Sequence, residues 1–330
     1  MAEKTIEILN RLTATFYPER YHGWGISRKY FEGWYFKIVN EKEDQALAVI
    51  PGIAMDENGQ KQAFIQVLDG KRKQAHYQKF NFDRFSSAAQ RFQVNIDKNY
   101  FSQDQLKIDL PYLNGELNFI GHCPWPSKWY SPGIMGPFSF VPFMECYHGI
   151  LSMNHRINGT LTYQNEIIDF TNGKGYIEKD WGHSFPEGYC WMQSNHFSDP
   201  EIAVKSSVAK IPWLGSAFVG FIAGVWLHGS LVPFTTYNGT KLIQSKISEK
   251  EVQQVMENKN YRLELFAKRD EATSLASPIQ GFMDGKIQES MTSEIQVILN
   301  DKRNKKLLIN DTGRNASLEV AGKIDEIQTG

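Results

Sequence analysis

The 330-residue sequence predicts an all-β protein built as two barrel-like halves. Three observations carry this. Short runs of alternating apolar and polar residues recur along the chain, as in strands with one buried face. Turn signals such as Asp69-Gly70, Asn114-Gly115 and Asn158-Gly159 separate them. Helical periodicity is nearly absent, and the chain is long for one small barrel.

The elements follow in order. The charged N-terminus, "MAEKTIEILNRLTATFYPERY", lacks the apolar region of a secretory signal and suits a short amphipathic helix through Ile6, Leu9 and Leu12. "YFEGWYFKIV" then sets Tyr30, Glu32, Trp34, Phe36 and Ile38 on one strand face. A meander of short strands follows, up to "GELNFIG". The proline-rich stretch His122–Pro142 resists regular structure and reads as a long, lid-like loop. Strands resume over Glu145–Phe170. In "GYCWMQSNHF", Tyr189, Trp191, Gln193, Asn195 and Phe197 share one face, and Cys190, Met192, Ser194 and His196 the other. The apolar run Ile211–Leu227 approaches the length of a membrane span, but Pro212 and its glycines favour buried strands broken by turns. Ser248–Lys259 reads as the one helical interruption, since Ser248 and Glu251 form a capping-box pattern. The division falls around residues 172–187, drawn as 1–172 and 173–330.

A net charge of −1 gives no electrostatic basis for a nucleic-acid partner. The basic run Lys302–Lys306 reads as a solvated hairpin end. Three scattered cysteines, Cys123, Cys146 and Cys190, form neither a disulfide framework nor a zinc knuckle, and fit a reducing cytosol.

The chemistry concentrates in "GYIEKDWGHSFP", Gly175–Pro186. On a strand, Glu178 and Asp180 point to the same face, with Cα atoms roughly 6.5–7 Å apart. In a dry pocket two such carboxyls resist double ionisation, so one holds its proton and serves as a general acid. The competing reading is that Lys179 or a nearby arginine neutralises them and the motif pins a corner. Glu32, set among aromatic residues, poses the same choice between pairing with Arg28 or Lys29 and reaching into a cavity. His148 and His155, seven apart, fall on opposite strand faces, which argues against a shared metal. His183 and His196 lack zinc-like companions, and Ser184 lies in no nucleophile elbow. No metal or cofactor is expected.

Three blocks, "YFEGWYFKIV", "SMNHRINGTL" and "GYIEKDWGHSFPEGYCWMQSNHF", occur in an order that resembles the tocopherol cyclase family and, more distantly, carotenoid hydratase relatives. The resemblance implies two lipocalin-like β-barrel domains and acid chemistry on an isoprenoid double bond. It implies protonation of a prenylated hydroquinone and closure to a chromanol. That needs a protonated acid, aromatic faces beside the cation, and exclusion of water. By the resemblance, Glu178 is the acid and Asp180 its partner. Glu32, Trp34, Tyr35, Tyr176, Trp181, His183, Trp191, Gln193 and Asn195 would line the substrate. The plant-type pattern has Asn where this chain has Asp180, and Gly where it has His183. The absence of a transit-like segment suggests a bacterial or mature form, cytosolic, with at most peripheral membrane contact. A non-catalytic carrier of lipophilic quinones or isoprenoids fits the same barrels, and so does a hydratase or isomerase that differs in whether water is admitted.

Overall fold

The computed structural model describes residues 2–330, with side chains described from residue 5. It is 61% strand and 7% helix, arranged as two antiparallel sheets, so the all-β, double-lipocalin reading holds. The chain divides into two compact units, residues 1–185 with 276–286, and residues 186–275 with 287–330. The first division therefore falls at 185/186 rather than 172/173. The reason is hydrogen bonding: the strand Lys174–Gly182 is held inside the first sheet.

In the first unit, the strand Tyr30–Val39 pairs with Ala46–Met55 on one side and with Lys174–Gly182 on the other. Lys174–Gly182 pairs in turn with the long strand Cys146–Tyr163. An early strand and two late ones thus lie side by side, an arrangement of high sequence separation. The core face carries Trp34, Phe36 and Ile38, each 0% exposed, as the alternation required. Trp34 stacks on Phe92 at 5.7 Å between ring centroids, and Phe36 meets Phe101 at 5.9 Å. Burying each such ring contributes about 1.5–3 kcal/mol of transfer free energy. Residues 276–286 belong to this unit: Gln66 accepts from the Ala276 N–H at 2.9 Å, and the Met55 N–H donates to the Gly281 carbonyl at 2.9 Å.

The second unit has its own core, with Cys190, Met192, Val204, Val208, Leu263 and Val297 among its buried members. The strand Gly188–Ser194 lies between Ile202–Trp213 and Lys306–Gly322. Both of its faces are buried, not one. The apolar run 211–227 is a hairpin of the strands Ile202–Trp213 and Ser216–Leu227, turning through Leu214 (φ 47°) and Gly215 (φ 81°). No helix among the described residues is long and apolar enough to cross a membrane.

The expected helix at Ser248–Lys259 is instead the strand Glu251–Glu257, paired with Lys241–Ile247 and Tyr261–Lys268. Ser248 does bind the Glu251 N–H, at 3.0 Å, and the Lys250 N–H, at 3.2 Å, but it thereby closes a hairpin turn. Val252, Gln254 and Met256, each 0% exposed, alternate with period two, and their burial overrides the local capping signal. The N-terminal helix is present, over Ala2–Ala14.

Candidate functional site

Alternation along Lys174–Gly182 sorts the motif residues onto two faces. Ile177 and Trp181 join the hydrophobic core, and Lys179 lies on their side. Tyr176, Glu178 and Asp180 occupy the other. The strand ends at Gly182, whose φ of 149° and close approach to the Glu145 carbonyl exclude a side chain; an added Cβ would lie 2.1 Å from that oxygen.

On the core side, Lys179 is fully buried and its charge is fully occupied. Its Nζ lies 2.5 Å from Glu32 and 2.7 Å from His22 Nδ1, and it donates to the Arg20 carbonyl. It also stands 4.9 Å from the centre of the Trp34 ring and 4.6 Å from that of Trp181. Glu32 accepts further bonds from the His22 and Gly23 amides and from the Tyr30 hydroxyl, at 2.9, 3.0 and 2.6 Å. Its partner is Lys179, not Arg28 or Lys29; Lys29 faces Glu57 at 3.5 Å. Burial draws the Lys179 ammonium down to about 8, against the pull of Glu32. Burial would raise Glu32, but Lys179 and the His22 hydrogen bond outweigh it and hold the carboxyl below its ordinary value. Glu32, Lys179, Trp34 and Trp181 form a structural clasp on the segment Arg20–Gly23.

On the opposite face the carboxylates meet a histidine. Cross-strand register sets His148 directly opposite Asp180, and Ile150 opposite Glu178. His148 Nδ1 lies 2.7 Å from Asp180 Oδ1, which fixes the N–H on that nitrogen. Its Nε2 lies 3.5 Å from Glu178 Oε2 and has no hydrogen-bond partner among the described residues. Tyr176 donates its hydroxyl to the same Glu178 oxygen. Burial and the adjacent Glu178 and Asp180 push Tyr176 well above the ordinary phenol range, so it stays a donor. Cys146 Sγ lies 3.8 Å from Asp180, and burial with that neighbour raises its thiol too, which leaves it a weak donor rather than a nucleophile. Tyr35 sits opposite Glu178, its ring 6.5 Å from that of Tyr176.

Exposure grades along this row. The Asp180 side chain is 24% exposed, His148 10% and Glu178 6%. The arrangement connects a solvent-facing carboxylate, through an imidazole, to a buried carboxyl. His148, Glu178 and Asp180 could also be considered as metal ligands, since suitable atoms lie within 4.8 Å of one another.

The structure therefore brings together Glu178, Asp180, Tyr176 and Tyr35, and puts Glu32, Trp34 and Trp181 on the other face. His183 participates through its backbone: its N–H donates to the Glu145 carbonyl at 2.9 Å and its carbonyl accepts from Gly281 at 2.6 Å. Trp191, Gln193 and Asn195 belong to the second unit. There Gln193 stands opposite Lys205 and Ser317, all three 0% exposed, and Trp191 opposite Glu319. His148 and Cys146 were missed in the sequence. His155 lies elsewhere, buried with Nδ1 3.1 Å from Ser152, after two register shifts between residues 150 and 155.

Comparison with known proteins places this geometry in context. The family model described as tocopherol cyclase-like matches residues 122–322. A probable chloroplastic tocopherol cyclase of Oryza sativa subsp. japonica is 27% identical over 204 residues, covering 57% of this chain and 42% of that protein. The chloroplastic tocopherol cyclase of Zea mays is 24% identical over 199 residues, covering 57% and 41%. The match thus spans about two fifths of each relative. The crystal structure of CghA with Sch210972 superposes with a TM-score of 0.54 at 10% identity, covering 89% of this chain and 88% of that one, a likeness of fold.

Proposed function

We propose that this chain, which belongs to the tocopherol cyclase-like family, protonates the prenyl double bond of a prenylated hydroquinone and closes it to a chromanol. The observation that supports this reading is the graded row from Asp180 through His148 to the buried Glu178 under the Tyr176 hydroxyl. Glu178 in its acid form delivers a proton to the less substituted alkene carbon. The tertiary cation is captured by the neighbouring ring hydroxyl, a C–O bond forms, and the hydroxyl proton is released. His148 accepts that proton and returns it to Glu178, with Asp180 holding the ring in orientation, so the cycle is proton-neutral. Tyr35 and Tyr176 offer aromatic faces to the cation, while Trp34 and Trp181 are engaged with Lys179.

The test is incubation with a panel of prenylated hydroquinones and mass analysis. An isomeric, cyclised product supports the reading. A product heavier by one water makes the chain a hydratase, and tight binding without conversion makes it a carrier.

A further inference from the structure

The Ala2–Ala14 helix presents its residues in the reverse of the usual order for a surface helix. Ala14 is 1% exposed and Glu7 and Asn10 are half-buried, whereas Ile6, Leu9 and Leu12 are 58%, 55% and 58% exposed. Such a helix ordinarily turns its apolar stripe inward. Here the carboxylate of Glu7 packs toward Gly25, 3.5 Å from where a side chain there would begin.

The outward apolar surface continues beyond the helix. Phe16 meets the Phe140 ring edge-on at 5.7 Å, which joins the helix end to the proline-rich segment within the same unit. On that segment Trp129 is 79% exposed, and Tyr130 and Phe143 about half. Most of the exposed large hydrophobic side chains among the described residues lie in these two stretches. Scattered singly they would need no explanation; concentrated in two stretches that touch through Phe16 and Phe140, they mark a partner.

The charges identify which partner. Across residues 5–20 and 122–145 the exposed charged side chains are Arg11 and Lys128, both cationic, while Glu7, Glu19, Arg20 and Glu145 are half-buried. Lys128 lies 5.7 Å from the centre of the Tyr130 ring, beside Trp129. A second copy of the chain would set like charges against each other across a self-complementary contact. An anionic bilayer surface suits every feature: aliphatic side chains enter the acyl boundary, Trp and Tyr sit at headgroup level, and cations meet phosphate.

We propose that the N-terminal helix and the Trp129-Tyr130 segment form a docking surface for anionic lipid bilayers, with the helix lying in the plane of the interface. This is independent of the chemistry at Glu178.

The experiment is flotation of the purified full chain with vesicles of phosphatidylcholine alone and of phosphatidylcholine mixed with phosphatidylglycerol. It is repeated for Leu9→Ser/Leu12→Ser and for Trp129→Ser/Phe143→Ser. These side chains are exposed, so melting temperatures should match wild type. The wild type is expected to float with the mixed vesicles, less with neutral ones, and each double variant to bind about tenfold more weakly or worse. Failure of the wild type to float with mixed vesicles, or equal binding by both variants, overturns the proposal. So does a wild-type dimer, seen by light scattering, that the same substitutions dissociate.

Discussion

His148 and Asp180 stand directly opposite each other on neighbouring strands, Nδ1 to Oδ1 at 2.7 Å, with the other ring nitrogen 3.5 Å from Glu178. The two acids of the motif are therefore bridged by a histidine from a strand some thirty residues earlier, and their roles differ by exposure. Glu178→Gln is expected to keep the fold and lower turnover roughly 10²–10⁴-fold, the usual contribution of a positioned general acid. Asp180→Asn should be milder, since the plant-type pattern has Asn there. His148→Gln should fall between them. Turnover and melting temperature for each variant check this order; loss of the fold in Glu178→Gln would make the stretch a structural element instead.

The core-side clasp gives a stability prediction. Glu32→Gln strands the buried Lys179 ammonium and should cost about 3–5 kcal/mol, as breaking a buried pair does. Glu32→Gln combined with Lys179→Met removes both charges and should be less destabilised than Glu32→Gln alone. Denaturant melts of the two singles and the double measure the coupling; additive losses would show that the two residues do not act as a pair.

Acid should destabilise the first unit. Burial and the charge of Lys179 lower His22 from 6.5 to about 4, even though Glu32 opposes them. Between those values the unfolded chain binds the extra proton, so stability present above pH 6.5 is lost as pH falls toward 4. His155 acts in the same direction, lowered by burial and by His122. Glu32, held below its ordinary 4.5, extends the loss to lower pH. Melting temperature against pH should fall through this window, and His22→Gln should flatten the upper part of the curve.

Gly182→Ala tests the end of the site strand. Its φ of 149° is glycine-specific and a Cβ would strike the Glu145 backbone, so a loss of about 1–3 kcal/mol is expected in a thermal melt.

Much of this was legible in the sequence, for identifiable reasons. The alternation in "YFEGWYFKIV" put Trp34, Phe36 and Ile38 on one face, which is the core face, although the opposite face of this strand is buried as well. The same rule put Glu178 and Asp180 on one face, and by implication Lys179 and Trp181 on the other; a motif read as one block obscures that division. Ser248 misled because its hydroxyl binds the N–H of a residue three positions on in a hairpin turn just as it would in a helix cap. His148 was not legible as a site residue because its neighbour is set by the pairing of Cys146–Tyr163 with Lys174–Gly182, a non-local register that no local pattern encodes.

In the proposed reaction a protein carboxyl delivers a proton to carbon. That step is tested most directly by turnover of a prenylated hydroquinone in deuterated water, with mass and NMR analysis of the product for wild type and Glu178→Gln. Proton delivery by Glu178 should leave one non-exchangeable deuterium, on the ring carbon next to the new C–O centre, and almost no product from the folded variant. Cyclised product without carbon-bound deuterium, or an undiminished rate in Glu178→Gln, would contradict it.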